Sequence, residues 1–254
     1  IRARLVGSEM CIRDSPKVYF ILAPNILKKW RYPLLILNIV HLSFENMSIY
    51  TKICGINDTE SGLLCSNLGA DALGFIRYEK SPRFVELDVP LKIQESLDKE
   101  LDIVFVFVNP SEKEVKTVIE KFPNSIIQFH GEEPAGFCES FGRKYIKAFH
   151  AYNLRYWKNY MDLYSSAHAF LIDSGNSVQK GGTGIAFDWK LIPKTEKEKI
   201  IVAGGINSSN VSDLLSKKHN IFGIDVNSGL ESKEAIKDTE KIETFFKVLK
   251  KNGK

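Results

Sequence analysis

Cysteine is scarce in this chain: its 254 residues hold four, Cys11, Cys54, Cys65 and Cys138. No two of them stand in a Cys-x-x-Cys or comparable pair, so neither a zinc site nor a disulfide scaffold is indicated and no metal is expected. Long apolar runs are missing too. The stretch 34–42 is interrupted by Asn38 and His41 and falls far short of the ~20 residues a membrane-spanning helix needs. The 17 Gly and nine Pro are dispersed, which excludes collagen-like and low-complexity classes. Charge of one sign is in small excess, but only at one end. Of 35 basic and 31 acidic residues, seven and three lie in 1–46, which leaves 28 of each from Met47 onward. A body without net charge is not expected to bind a nucleic-acid backbone as a whole. What remains is ordinary globular composition, with 44% apolar residues, enough for a sizeable core.

The first 46 residues read differently from the rest. The segment 5–15, LVGSEMCIRDS, resembles the translation of a sequencing adapter, and such a scar is set aside before fold reasoning. Residues 16–46 are then expected to be an upstream region read in frame, with Met47 as the start. This divides the chain into a non-native, artefactual or disordered leader, 1–46, and a single domain, 47–254. The competing reading is a targeting segment, because Lys28, Lys29 and Arg31 precede the apolar 34–42. No small-residue cleavage pattern follows it. Sparse cysteine and the lack of a membrane span place the protein in the cytoplasm by expectation.

From Met47 the chain keeps a regular beat. Apolar, β-branched runs occur at 48–54, 71–76, 102–108, 124–130, 145–149, 168–173, 200–204 and 221–226. They are continuous rather than alternating, as strands buried on both faces should be. Helical patterns fall between them at 58–68, 90–97, 111–121, 134–141, 208–217 and 240–250. Asp58 and Ser111 are in N-cap position and Gly69 in C-cap position. Eight strands in 208 residues give the rhythm of an α/β protein with a single (β/α)8 TIM barrel. An open doubly wound sheet is the alternative, but no Gly-rich dinucleotide turn follows the first strand.

A barrel places its chemistry where strands end, and the polar and Gly-rich residues fall there. The first strand ends at Cys54, the fourth at His130 and the sixth at Asp173, followed by Gly181 to Gly184. The seventh ends at Gly204 and Gly205, and the eighth runs through Asp225 into Asn227, Ser228 and Gly229. Glycines on adjacent strand ends bring backbone N–H groups close to a dianion, so a phosphate site is expected beyond the last three strands.

In order along the chain stand KICGI (52–56), GADALGF (69–75), KSPR (80–83), VFVN (106–109), IQFHG (127–131), LID (171–173), GGTG (181–184), FDW (187–189), AGGI (203–206) and DVNSG (225–229). With this set the chain resembles the phosphoribosylanthranilate isomerases of tryptophan biosynthesis, nearly end to end from Met47. The resemblance implies an Amadori rearrangement of a phosphoribosylamine, with Cys54 as general base, Asp173 as general acid and no cofactor. It further implies that Arg83 meets the anthranilate carboxylate and that Asp225 meets the ribose hydroxyls. Gln128 and His130 are further candidate substrate contacts, with two readings open for His130: a helper in the chemistry, or a residue that positions its loop. Gly182, Thr183, Gly184, Gly204, Gly205, Asn227, Ser228 and Gly229 would hold the phosphate. The only partner expected is this small phosphorylated substrate, for a monomer or homodimer.

The chemistry makes its own demands. The acid must protonate the furanose oxygen and the base must take the C2′ proton, so Cys54 should be shifted toward thiolate and Asp173 raised by burial. Lys52, on the same strand face as Cys54, could favour the thiolate. Cys65, Cys138, His150, His168, Trp157 and Trp189 read as packing or structural residues. Arg77, Glu79, Phe129 and Asn227 depart from the family pattern. Two other readings stay open: a barrel that binds a sugar phosphate without turnover, and a related barrel isomerase of histidine biosynthesis, which would want an Asp where Cys54 stands.

Overall fold

Each apolar run becomes a strand, and the strands pair in chain order. In the computed structural model, which describes residues 49–97, 99–174, 188–195, 197–216 and 220–252, they are β1 (Tyr50–Cys54), β2 (Ala72–Ile76), β3 (Asp102–Phe107), β4 (Ile126–Phe129), β5 (Tyr145–His150), β6 (Ala169–Asp173), β7 (Ile200–Val202) and β8 (Gly223–Val226). All pairings are parallel, and β8 closes onto β1 through Tyr50–Gly223 to Ile53–Val226. The sheet is therefore the closed eight-stranded barrel that the sequence rhythm indicates. The leader, 1–46, lies outside the described residues, as do Gly182, Thr183 and Gly184.

The helices are α1 (Thr59–Leu68), α2 (Asp88–Glu95), α3 (Glu112–Lys121), α4 (Ala135–Glu139), α5 (Trp157–Leu163), α6 (Val211–Ser216) and α7 (Thr239–Lys251). The cap residues act as their positions indicate. Asp58 accepts from Ser61 N, and Gly69 closes α1 with φ 112°, a left-handed conformation that glycine adopts without a Cβ clash. Ser111 and Glu114 form a reciprocal capping box on α3. Ser111→Ala should cost about 1 kcal/mol of stability, read as a lower urea midpoint at constant slope; an unchanged midpoint would show that the cap contributes nothing.

Two departures concern helix limits. The helix expected from residue 208 begins at Val211, because Asn207 and Asn210 fold back and donate to Gly205 O at 3.1 and 2.8 Å. Asn side chains compete with the helix for backbone partners in this way. A helix also forms after β5, where α5 follows a 3₁₀ turn at Ala151–Tyr156. After β8 the chain makes a short 3₁₀ turn and an antiparallel hairpin, β9 (Glu231–Lys233) and β10 (Ile236–Lys237).

Strand parity decides what faces where. Ile53, Phe75, Phe105, Phe129 and Ile172 point outward into a core shared with the helices. Ala72, Val104, Ile126, Ile146, Ala169, Leu171 and Ile201 fill the barrel interior. Two residues on from these, at the carboxyl end, the same inward parity delivers Gly74, Val106, Gln128, Ala148 and Asp173. The inward row of β1 carries Lys52 and Cys54, and that of β8 carries Asp225. Among the described residues no helix is long and apolar enough to cross a membrane.

Candidate active site

The carboxyl end of the barrel opens into a cavity of about 720 Å³, within the range of small-molecule sites. Cys54, Arg83, Gln128, His130, Asp173 and Asp225 all line it, as do Gly204, Gly205, Asn227 and Ser228. The strand ends thus bring together residues as much as 174 positions apart in sequence. Gly229 sits just behind, where a Cβ would fall 1.9 Å from Ile206 O. Gly204 has φ 86°, and a Cβ there would meet Ser174 Oγ at 1.9 Å. Both glycines let the ends of β6, β7 and β8 approach as closely as an anion cradle requires.

On the β1 side, Lys52 is fully buried and donates to both oxygens of Asp225 at 3.0 Å. Its ammonium stands beside the Cys54 sulfur: a Cβ built at Gly74 would lie 2.8 Å from each. Burial alone would lower the Lys52 pKa, but Asp225 and Cys54 overcome this and raise it. For Cys54 the balance differs from the sequence expectation. Burial pushes the thiol up, and Lys52 offsets only part of that rise. Cys54 is therefore shifted away from thiolate, because removing a sulfur from water penalises its charged form.

Across the cavity, His130 Nε2 lies 3.3 Å from Asp173 Oδ2, and Gln128 Nε2 lies 3.1 Å from His130 Nδ1. With the amide donating to Nδ1, the imidazole proton sits on Nε2 and faces Asp173. Gln128 is 1% exposed, and its Oε1 has no hydrogen-bond partner among the described residues. That leaves one acceptor for a bound molecule, since buried polar atoms are normally satisfied.

Arg83 is placed differently from a free carboxylate receptor. Its Nε and Nη2 donate to Glu231 Oε1 and Oε2, both at 2.7 Å. Nη1 remains, 3.7 Å from Glu234, a side chain 70% exposed. Glu231 also receives Lys237 at 3.3 Å, and Lys237 Nζ donates to Asn227 O and Oδ1. Burial raises the Glu231 carboxyl, but Arg83 and Lys237 more than reverse that. The hairpin β9–β10 thus braces both Arg83 and the Asn227 turn. Nothing in the local pattern around Glu231 or Lys237 marked them, because both act across the fold.

A second buried pair supports the His130 loop. Lys147 Nζ donates to Glu133 Oε2 and to Gly131 O, each at 2.7 Å. Glu133 in turn accepts from the backbone N–H groups of Asn109 and Gly131. Asn109 adopts φ 49°, and its Oδ1 accepts from Glu132 N, which ties the ends of β3 and β4 together. His150, a structural residue by its sequence pattern, lines the cavity, and its ring stacks on Tyr152 at 5.2 Å. Arg77 turns away from the cavity: it donates to Val85 O, pairs with Glu86 at 3.1 Å and lies over Phe84.

The comparisons with known proteins agree with one another. The model of the family described as N-(5'phosphoribosyl)anthranilate (PRA) isomerase matches residues 51–248. N-(5'-phosphoribosyl)anthranilate isomerase of Legionella pneumophila (strain Corby) is 36% identical over 201 residues, 79% of this chain and 97% of its own. The crystal structure of phosphoribosyl anthranilate isomerase from Thermotoga maritima superposes with TM-score 0.72 at 31% identity, covering 80% of this chain and 99% of the other. Another structure, at TM-score 0.69 and 30% identity with the same coverage, is of phosphoribosyl anthranilate isomerase in complex with reduced 1-(o-carboxyphenylamino)-1-deoxyribulose 5-phosphate. With the barrel, the cavity and these likenesses in agreement, the chain belongs to the N-(5'-phosphoribosyl)anthranilate isomerase family.

Proposed function

We propose that this isomerase of tryptophan biosynthesis carries out the Amadori rearrangement with Asp173 as general acid and Cys54 as general base. The observation that carries the reading is their placement: both reach one cavity, from β6 and from β1, on the inward parity of their strands. Asp173 gives its proton to the furanose oxygen of N-(5-phosphoribosyl)anthranilate, and the ring opens to an iminium. Cys54 as thiolate then takes the C2′ proton, leaving an enolamine that tautomerises to the 1-deoxyribulose. One proton is given and one taken, so the residues have only to exchange a proton with solvent before the next turnover. The family's Cys-for-Asp difference at the end of β1 separates this reading from the histidine-pathway isomerase.

The remaining residues fit the substrate's chemistry. The anthranilate carboxylate goes to Arg83 Nη1, displacing the exposed Glu234. Asp225 and Gln128 Oε1 accept from ribose hydroxyls or the substrate amine. Gly204, Gly205, Asn227 and Ser228 face the phosphate; Gly182, Thr183 and Gly184 complete that site by expectation only. The protein is read as cytoplasmic, and as a monomer or homodimer. The test is the loss of substrate fluorescence when the full chain meets freshly made phosphoribosylanthranilate. Turnover supports the reading; binding without turnover would leave a sugar-phosphate-binding barrel in its place.

The pH profile follows from the thiol. A base works deprotonated, and Cys54 lies above the ordinary cysteine range because it is buried. Neutral pH therefore finds mostly thiol, and kcat/KM should rise by up to about tenfold per pH unit from pH ~7 to ~9. A flat profile over that range would remove Cys54 from the role of titrating base.

A further inference from the structure

We propose that Lys52 is a positioning residue for catalysis, the fixed counter-ion against which the Cys54 sulfur becomes a thiolate. This deepens, and rests on, the reading of Cys54 as the base. Lys52 and Cys54 are two residues apart on one strand, so parity sends both inward. Two features then force them together. Asp225, opposite Lys52 in the register of β1 and β8, holds the ammonium with both oxygens. Gly74, opposite Cys54 on β2, leaves room beside it. A Cβ at Gly74 would stand 2.8 Å from Cys54 Sγ and 2.8 Å from Lys52 Nζ, so sulfur and nitrogen occupy the space a side chain would have filled.

The charges around the sulfur point the same way. Lys52 on β1, Asp225 on β8, Lys237 on β10 and Arg83 in the loop after β2 all act on Cys54. Glu231 on β9 neutralises one of the cations through its pairs with Arg83 and Lys237. Three buried cations thus face two buried carboxylates, with Glu234 out in solvent; His130 and Asp173 line the far wall of the cavity. This cluster carries one cation in excess, so loss of a proton from the sulfur beside Lys52 would balance it. Without such a partner a buried thiol stays protonated. Burial raises all three described thiols, Cys65 and Cys138 to about 12, but of these Cys54 is the one with an ammonium two residues away on its own strand, beside the same Gly74.

The experiment is a residue-resolved ¹³C NMR titration of the cysteine Cβ atoms in the full chain, alongside the pH profile of kcat/KM. In the unaltered protein Cys54 should titrate below Cys65 and Cys138; co-titration of all three would overturn the proposal without any variant. In Lys52→Met/Asp225→Asn, which removes both charges of the pair at once, the Cys54 midpoint should rise by about one unit or more. The rising limb of kcat/KM should move by the same amount. Gly74→Ala, which pushes sulfur and ammonium apart, should shift it in the same direction. An unmoved Cys54 midpoint in these folded variants would refute Lys52 as the counter-ion. Failure of the underlying reading looks different: Cys54→Ala would then keep full activity, while the Cys54 midpoint still responded to Lys52.

Discussion

Cys54→Ala and Asp173→Asn should each lower kcat by about 10²–10⁴-fold, the usual contribution of one positioned proton-transfer group, with KM changed far less. Neither side chain supplies much of the binding surface in a cavity of about 720 Å³, so the loss falls on the transition state. Asp173→Asn is the stricter variant for the acid. It keeps an oxygen for His130 Nε2 at the same place but cannot hand a proton to the furanose oxygen. Steady-state kinetics by substrate fluorescence decides the matter. Loss in KM alone would make both residues binding groups, and retention of kcat in either variant would reassign that role. His130 is the nearest alternative acid, 3.3 Å from Asp173. A His130→Asn variant with the larger deficit would move the assignment there.

Lys147→Met should destabilise the barrel by about 3–5 kcal/mol, because it leaves the Glu133 carboxylate buried without its cation. Lys147 is 1% exposed and Glu133 is 3% exposed, so water cannot replace the lost partner. For a domain of this size the melting temperature should fall by about 6–20 °C. Lys147→Met/Glu133→Gln, which removes both charges, should recover a large part of that stability. Denaturant unfolding of the single and double variants separates the outcomes. A single-variant cost below about 1 kcal/mol, the range of exposed ion pairs, would show the pair to be solvated. The same carboxylate anchors Asn109 and Gly131, so the folded single variant should also lose kcat through the loop that carries His130.

The likeness between sequence reading and structure is greatest where a single strand carries the information. Continuous apolar runs mark strands covered on both faces, and the barrel that follows has its polar residues at the carboxyl ends. The caps at Asp58, Gly69 and Ser111 are legible for the same reason: each bonds within a few residues of itself. The limits of α6 were less legible because Asn207 and Asn210 compete with the helix for Gly205 O. The side-chain partners were not legible at all. Arg83 and Glu231 are 148 residues apart, and Lys52 and Asp225 are 173 apart.

By itself, then, the sequence determined the eight barrel strands and their order along the chain, the end of the barrel that carries chemistry, and, through period two, which residues of each strand face inward. The tertiary structure alone decided which of those residues meet, and so their charge states. Closing β8 onto β1 brings Asp225 to Lys52, and the hairpin after β8 commits two of Arg83's nitrogens to Glu231. Burial then raises Cys54 despite Lys52. The physical reason is that strand pattern is a property of neighbouring residues, whereas desolvation and Coulomb energy depend on distances that exist only once the barrel is closed.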